Sequence, residues 1–156
     1  MFSNLENQSK IWIFQTINPL SYEEENYINK EIDLFLFKWK SHGNNLKANY
    51  LIFKSYFIII SVDNNFFNAS GCSLDKLFNK IQLLGSNLNR SFFEREYIFF
   101  ENDDEKINFL KLNDFKKKLN NKNISPKIIY DNSIHILKDL NKGWRMNILE
   151  WKEKFI

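Results

Sequence analysis

The sequence is poor in the residues that form covalent cross-links and sharp bends. Its 156 residues include one cysteine, two prolines and four glycines. A single cysteine excludes an internal disulfide and a zinc site built from several cysteines of one chain. Only three of the 22 basic residues are arginine, the side chain best suited to bidentate contacts with phosphates and bases. The net charge of +3 therefore gives no strong reason to expect a nucleic-acid partner.

Long apolar runs are missing as well. The longest candidate, Tyr56 to Ile60, has the length of one strand, whereas a membrane-spanning helix needs about 20 apolar residues. The first six residues show no basic segment followed by an apolar one, so no secretory signal is visible. We therefore expect a cytoplasmic protein without a membrane span.

The residues that are abundant indicate a globular chain. Hydrophobic residues make up 44% and charged residues 26%, and 156 residues are enough for one domain with a buried core. The excess of Asn, Ile, Lys and Phe over Ala and Gly follows A+T-rich codons and is typical of a reduced bacterial genome. We predict a single domain over residues 1–156, with its core at about 10–112 and a C-terminal extension at about 113–156.

Hydrophobic patterns along the first hundred residues predict the order β-α-β-β-α-β. This order matches an α+β, ferredoxin-like fold, in which an antiparallel sheet carries two helices on one face. A further strand and a C-terminal arm would complete the chain. The predicted strands are Lys10 to Gln15, Leu46 to Phe53, Tyr56 to Val62, Tyr97 to Glu101 and Lys106 to Leu112.

The two helices have distinct start and stop signals. Ser21 and Glu24 form a capping-box pattern, so the first helix is predicted over about 22–41, with Gly43 as its left-handed stop. The second helix is predicted to begin after Ser70 and to end at Gly85.

The C-terminal part has weaker signals. It predicts a short basic helix to about Leu119, a short strand at Lys127 to Tyr130 and helical turns at Ile134 to Leu140. Trp144 and Trp151 belong to an apolar arm that either folds back on the domain or forms a docking patch for a partner.

Several short segments together resemble a known family. They are Trp39-Lys40-Ser41-His42-Gly43, Leu46-Lys47-Ala48, Ser61-Val62-Asp63 and Ala69-Ser70-Gly71-Cys72-Ser73-Leu74-Asp75-Lys76. The chain resembles, from Trp12 to about Trp151, a family of small bacterial proteins commonly named "ABC transporter ATPase". The resemblance implies no catalytic residues, because the family has no established mechanism.

The family's name is not matched by a nucleotide-binding motif. A phosphate-binding loop needs the pattern G-x-x-x-x-G-K-[ST], whose amides surround the phosphates. None of the four glycines is followed by Lys and then Ser or Thr, and none has another glycine five residues before it. We therefore expect no ATP hydrolysis by this chain and no cofactor.

Cys72 is the candidate with the most specific chemistry. It lies in the first turn of the second predicted helix, where backbone N–H groups favour a thiolate. His42, at the predicted end of the first helix, could act as its base, with Asp63 or Asp75 orienting the imidazole. The alternative is a structural Cys72 packed as a small hydrophobic residue, which we expect here.

The same segment offers a weaker, anion-binding interpretation. The residues Ser70, Gly71, Cys72 and Ser73 could present amides to a phosphate or carboxylate. With His135 the only other histidine, no metal site is expected. The acidic run Asp103-Asp104-Glu105 lacks the glycine of a calcium loop and is predicted to be a solvated hairpin tip.

One basic cluster raises the question of RNA. Lys116 to Lys118 could contact phosphates, and Tyr97, Phe99 and Phe100 could stack bases on an open sheet face. The basic-Gly-aromatic signature of RNA-recognition modules is missing, however. We expect a non-catalytic binding or accessory protein that acts through a protein partner. The alternatives are a thiol-dependent enzyme or redox-sensitive protein that uses Cys72, and an RNA-associated protein.

Overall fold

The computed structural model describes residues 1–63 and 70–156 and shows a mixed α+β architecture. Among those residues no helix is both long and apolar enough to cross a membrane. In chain order the elements are β1 (Lys10–Gln15), α1 (Tyr22–Lys38), β2 (Lys40–Ser41), β3 (Asn44–Asn45), β4 (Lys47–Phe53), β5 (Phe57–Asp63), α2 (Gly71–Asn87), β6 (Tyr97–Glu101), β7 (Ile107–Lys111), α3 (Leu112–Asn120), β8 (Ile128–Tyr130), α4 (Leu137–Lys142), β9 (Arg145–Met146) and α5 (Ile148–Phe155).

The first sheet is antiparallel with the order β1-β5-β4. Strand β5 is central and buried along its whole length, as its apolar run predicts. Lys54 and Ser55 connect β4 to β5, and their φ angles of 48° and 62° fit a two-residue turn with the twist of a hairpin. The predicted tight hairpin is confirmed, although neither residue is favoured in such a turn.

The fourth predicted strand lies elsewhere. A ferredoxin-like sheet would place it beside β1, but β6 pairs with β7 and β8 in a second sheet of order β7-β6-β8-β9. Among residues 1–63 and 70–156 the outer edge of β1 is bridged at two points, Lys10 with Ile136 and Gln15 with Phe93. The α+β class is as expected, whereas the position of this strand differs from the prediction.

The two larger sheets and the helices α1, α2, α3 and α5 form four layers. Helices α1 and α2 pack on one face of the first sheet, where Ile28, Ile32, Leu77 and Ile81 meet Ile60. The second sheet covers the opposite face of the first sheet. Helices α3 and α5 cover the far face of the second sheet. Alternation along β5 produces this arrangement, because successive side chains point to opposite faces.

Both predicted helix ends differ from the structure. Helix α1 begins with the expected capping box, in which Ser21 and Glu24 exchange hydrogen bonds of 3.2 and 3.1 Å. It ends at Lys38 rather than near residue 41, because His42 and Gly43 form the turn of the small β2–β3 hairpin. Gly43 does adopt a left-handed conformation, with φ 80°, but in this turn and not at a helix end.

Gly85 lies inside α2 rather than at its end. The helix continues to Asn87, and the chain then folds back so that Arg90 donates its backbone N–H to the Gly85 carbonyl at 2.9 Å. A methyl group on Gly85 would lie 2.6 Å from the carbonyl oxygen of Arg90. The glycine is therefore required for close approach and not as a stop signal.

The C-terminal arm folds back on the domain. Trp144 is buried between the two sheets, and Trp151 of α5 is buried against the far face of the second sheet. Helix α5 begins with a second capping box, formed by Asn147 and Glu150. Residues after 113 thus share hydrophobic clusters with residues of the predicted 10–112 core, so the two parts do not have separate cores.

Candidate functional site

The end of α1 meets the beginning of α2 at a buried tryptophan. Trp39 follows the last residue of α1, and its indole Nε1–H donates a hydrogen bond of 2.8 Å to the carbonyl of Ser73 in the first turn of α2. Strand β2, which follows Trp39 directly, also contacts α2. The sequence segments around His42 and Cys72 are therefore brought to the same region of the molecule.

The serines at this junction are occupied by helix capping. The Ser70 hydroxyl oxygen accepts the backbone N–H of Ser73 at 3.2 Å, and the Ser73 hydroxyl donates to the Ser70 carbonyl at 2.8 Å. Ser73 is buried, so its side chain cannot reach a ligand in solution. Gly71 is exposed, and no other part of the described chain approaches its Cα closely. The side chains of Ser70 and Ser73 therefore cap the N-terminus of α2.

Cys72 is exposed, contrary to the expectation that it packs against apolar groups. The reason is its position in the helical repeat. Ser73, Leu77 and Ile81 are spaced at intervals of four and form the buried stripe of α2. Cys72 lies about 100° away from Ser73 around the helix, which turns its side chain toward solvent. Free cysteines are buried on average, but the exposure of Cys72 is set by its position on the outward side of α2.

His42 is also exposed, at the turn of the β2–β3 hairpin. Among the described residues no hydrogen bond joins it to Cys72 or to a carboxylate. Asp63, a proposed orienting group, is buried and pairs with Lys47 at 3.5 Å, and Asp75 is exposed. The structure therefore brings the hairpin near α2 without assembling a Cys–His–Asp arrangement from described residues.

An apolar surface lies beside this junction. Leu34 and Phe37 point outward from α1, three residues apart on one face, and their exposed fractions are 51% and 82%. Leu34 also lines a cleft of about 400 Å³ between α1 and α2, together with Phe35 and Trp39. We call Leu34, Phe37 and this cleft the α1–α2 surface.

Lysines surround the α1–α2 surface. Four of them line the cleft: Lys38, Lys40, Lys76 and Lys80. Lys80 is paired with Glu31 at 2.5 Å, and this hydrogen bond together with the charge of Lys80 holds the pKa of Glu31 below its ordinary value. The other three lysines form no ion pair with any residue that the structure describes. The surface combines an apolar centre with an excess of positive charge.

The sequence contains a signal for this surface. The core stripe of α1 runs through Ile28, Ile32, Phe35 and Trp39, so an apolar residue off that stripe points to solvent. Phe37 is such a residue. The outward position of Phe37 is not evident from the sequence alone, because the chain contains 16 phenylalanines and most of them are expected in the core.

Two of the three aromatic residues proposed for RNA are not available for stacking. Phe99 is buried between the two sheets, and Phe100 is buried under α3 and α5 on the opposite face. Both faces of the second sheet are therefore covered, which contradicts the open face that the RNA hypothesis requires. The acidic run at Asp103 to Glu105 lies at an exposed hairpin tip, as predicted.

No metal site is formed by three or more His, Cys, Asp or Glu side chains within residues 1–63 and 70–156. No protein-family model, no curated protein and no solved structure matches the chain. The resemblance to the small bacterial family stays a prediction.

Proposed function

We propose that this protein is a non-catalytic binding protein and that a protein partner docks on the α1–α2 surface. The observation that carries the proposal is the outward position of Phe37 and Leu34 on α1, the helix that forms one wall of a cleft where three lysines have no acidic partner in the described chain. A large aromatic side chain in solvent contributes nothing to folding, but it is a typical anchor residue of an interface.

The charge of the surface indicates the chemistry of the partner. Three lysines around an apolar centre attract a segment that presents acidic side chains beside an apolar one. Such a segment would insert its apolar side chain next to Phe35 in the cleft, and its carboxylates would lie near Lys38 and Lys76. Association should therefore slow as ionic strength rises, because salt screens the attraction between exposed charges.

The test is quantitative capture of partners by purified wild-type protein, Phe37→Ala and Leu149→Ala. Leu149 is a matched control, since it is 69% exposed and lies on α5 in the outermost layer on the other side. We expect one protein to be retained by the wild type and by Leu149→Ala and lost by Phe37→Ala. That protein, once purified, should bind at least tenfold more weakly to Lys38→Glu/Lys76→Glu. Equal capture by Phe37→Ala and wild type would contradict the proposal.

A second candidate function is a thiol-dependent activity at Cys72. It is supported by one observation, the exposure of the thiol in the first turn of α2. The rate at which a thiol reagent labels Cys72 separates the two candidates, since a docking protein needs no reactive thiol.

A further inference from the structure

A groove runs along the side of the molecule, where the outer edge of β1 faces residues 131–135. Its volume is about 790 Å³, which is within the range of small-molecule sites. The two sheets, α3 and α5 supply apolar walls, which include Ile11, Ile13, Tyr97, Ile98, Leu112 and Trp151. None of the described residues lines both this groove and the cleft of the α1–α2 surface.

The backbone of β1 is open at one residue in this groove. The outward backbone N–H of Ile11 donates to the backbone carbonyl of His135 at 3.0 Å, and that of Gln15 donates to the backbone carbonyl of Phe92 at 2.9 Å. N–H groups two residues apart in a strand point the same way, so the N–H and C=O of Ile13 also point away from β5. Among the described residues nothing pairs with them. The groove therefore contains a free backbone donor beside a free acceptor.

A buried side chain in the same place also lacks a partner. Gln15 lines the groove with an exposed fraction of 3%, and its Oε1 has no hydrogen-bond partner among the residues described. The Gln15 side chain projects from the face of the strand and the Ile13 N–H projects from its edge, and both residues line the groove. Together they form a polar spot in an otherwise apolar wall, which is the usual composition of a ligand site.

The charges around the groove favour an anion. Arg95, Lys116 and His135 line it. Asp131, the one carboxylate among the described residues that line the groove, is already occupied, because it accepts hydrogen bonds from the Ser133 backbone N–H at 3.0 Å and from Lys154 at 2.5 Å. Arg95 and Lys116 form no ion pair within the described chain.

We propose that this groove binds a small amphipathic carboxylate, with its carboxylate toward Arg95 and Lys116 and its apolar body between Ile11 and Trp151. The Ile13 N–H would donate to a carboxylate oxygen, and the Gln15 Oε1, which is an acceptor, would accept a hydrogen bond from a water molecule bound beside the carboxylate. An added peptide strand does not fit, because Phe93 and Ile136 close the edge of β1 on both sides and leave one residue open. Apolar walls and few donors favour a carboxylate over a phosphate.

The test is a titration of the full chain with sodium decanoate, followed by ¹H–¹⁵N NMR and calorimetry. We expect saturable binding and a shift of the Ile13 amide resonance. Acetate, which lacks the apolar body, and decyltrimethylammonium, which carries the opposite charge, should bind at least tenfold more weakly. Equal binding of the cation, or decanoate binding that leaves the Ile13 resonance unmoved, would overturn the proposal.

Variants complete the test. Arg95→Glu and Lys116→Glu should each weaken decanoate binding about tenfold or more, whereas Lys118→Glu, also on α3 but outside the groove, should not. Gln15→Leu should weaken binding while preserving volume. If it disturbs folding, the two exposed or half-exposed charge variants still decide the question. Unchanged affinity in both Arg95→Glu and Lys116→Glu would refute the site.

Discussion

The ammonium of Lys54 lies 2.7 Å from the carboxylate of Glu101 and thereby links the two sheets. Lys54 belongs to the turn between β4 and β5 of the first sheet, and Glu101 is the last residue of β6 in the second. The hydroxyl of Tyr130, on the neighbouring strand β8, donates to the same carboxylate oxygen. The Glu101 side chain is 1% exposed and that of Lys54 is 32% exposed. A buried carboxylate is thus stabilised by one cation and one phenol.

Lys54→Met should destabilise the fold, because it leaves the Glu101 carboxylate buried with only Tyr130 as a partner. Breaking a buried ion pair costs about 3–5 kcal/mol, and the partial exposure of Lys54 reduces the expected loss to about 2 kcal/mol. Urea unfolding monitored by circular dichroism measures it. Lys54→Met/Glu101→Leu should recover part of the loss, since the double variant has no uncompensated charge.

Lys111→Met is the control for this pair. Lys111 is 3.2 Å from Glu96, but both side chains are more than half exposed. Its removal should leave the urea midpoint unchanged, because solvent screens an exposed pair. Equal midpoints for Lys54→Met and the wild type would show that the Lys54–Glu101 contact does not stabilise the protein.

The elements that the sequence predicts well are those with local signals. The Ser21–Glu24 capping box fixes the start of α1, and the apolar run of β5 identifies a central strand. Each of these signals is formed by residues within one helical turn or one strand, so all the residues involved can be read together in the sequence. The Asn147–Glu150 capping box of α5 is equally local, but it lies in a segment that is predicted only as an apolar arm.

The placement of β6 could not be predicted in the same way. Tyr97 and Phe99 point to one face of its sheet, and Ile98 and Phe100 point to the other, so the strand is apolar on both faces. Such a strand fits the ferredoxin-like sheet and a separate second sheet equally well. The decision depends on long-range packing, since Trp144 packs against one face of the second sheet and Trp151 against the other.

The candidate site was predicted in part. The sequence identified the segments around His42 and Cys72, which the structure brings to one region, but it misjudged the burial of Cys72 and overlooked Phe37. The error at Cys72 concerns helical phase, because a difference of one residue rotates a side chain by about 100°.

Gly85→Ala should destabilise α2 although alanine is the better helix former. The added methyl group would lie 2.6 Å from the Arg90 carbonyl oxygen, which is backbone and cannot move aside freely. We expect a loss of about 2 kcal/mol in the free energy of unfolding. Gly71→Ala is the matched substitution in the same helix, with open space around the new methyl group. It should be neutral or stabilise by up to about 1 kcal/mol.

Thermal and urea unfolding of the two glycine variants should therefore move in opposite directions from the wild type. A Gly85→Ala protein as stable as Gly71→Ala would mean that the turn from Gly85 to Arg90 tolerates a side chain, and the proposed close approach would be wrong.

Stability should fall in the alkaline range as tyrosines ionise. Burial and the neighbouring carboxylate of Asp33 raise the pKa of Tyr50 to about 12, and burial and Glu101 raise the pKa of Tyr130 further. An unfolded tyrosine has a pKa of about 10. Between pH 10 and 12 the folded chain keeps protons that the unfolded chain loses, so the free energy of unfolding decreases as pH rises.

The measurement is the urea midpoint at pH 8, 10 and 11 for the wild type, Tyr50→Phe and Tyr22→Phe. The decrease above pH 10 should be smaller in Tyr50→Phe, which has no hydroxyl to ionise at that position. Tyr22 is exposed, and Tyr22→Phe should follow the wild type. Identical pH profiles for all three proteins would show that the environment of Tyr50 does not favour its neutral form.

Labelling of Cys72 by a thiol reagent should be complete in the native protein and no faster than labelling of free cysteine at neutral pH. Completeness follows from the exposure of the thiol, and the ordinary rate follows because no described residue hydrogen-bonds to it. Labelling of the urea-unfolded chain supplies the reference rate, and Cys72→Ser shows that no other group reacts. Rapid labelling that depends on pH and slows in His42→Ala would instead support the thiol-dependent function, because only a base near Cys72 would produce that pattern.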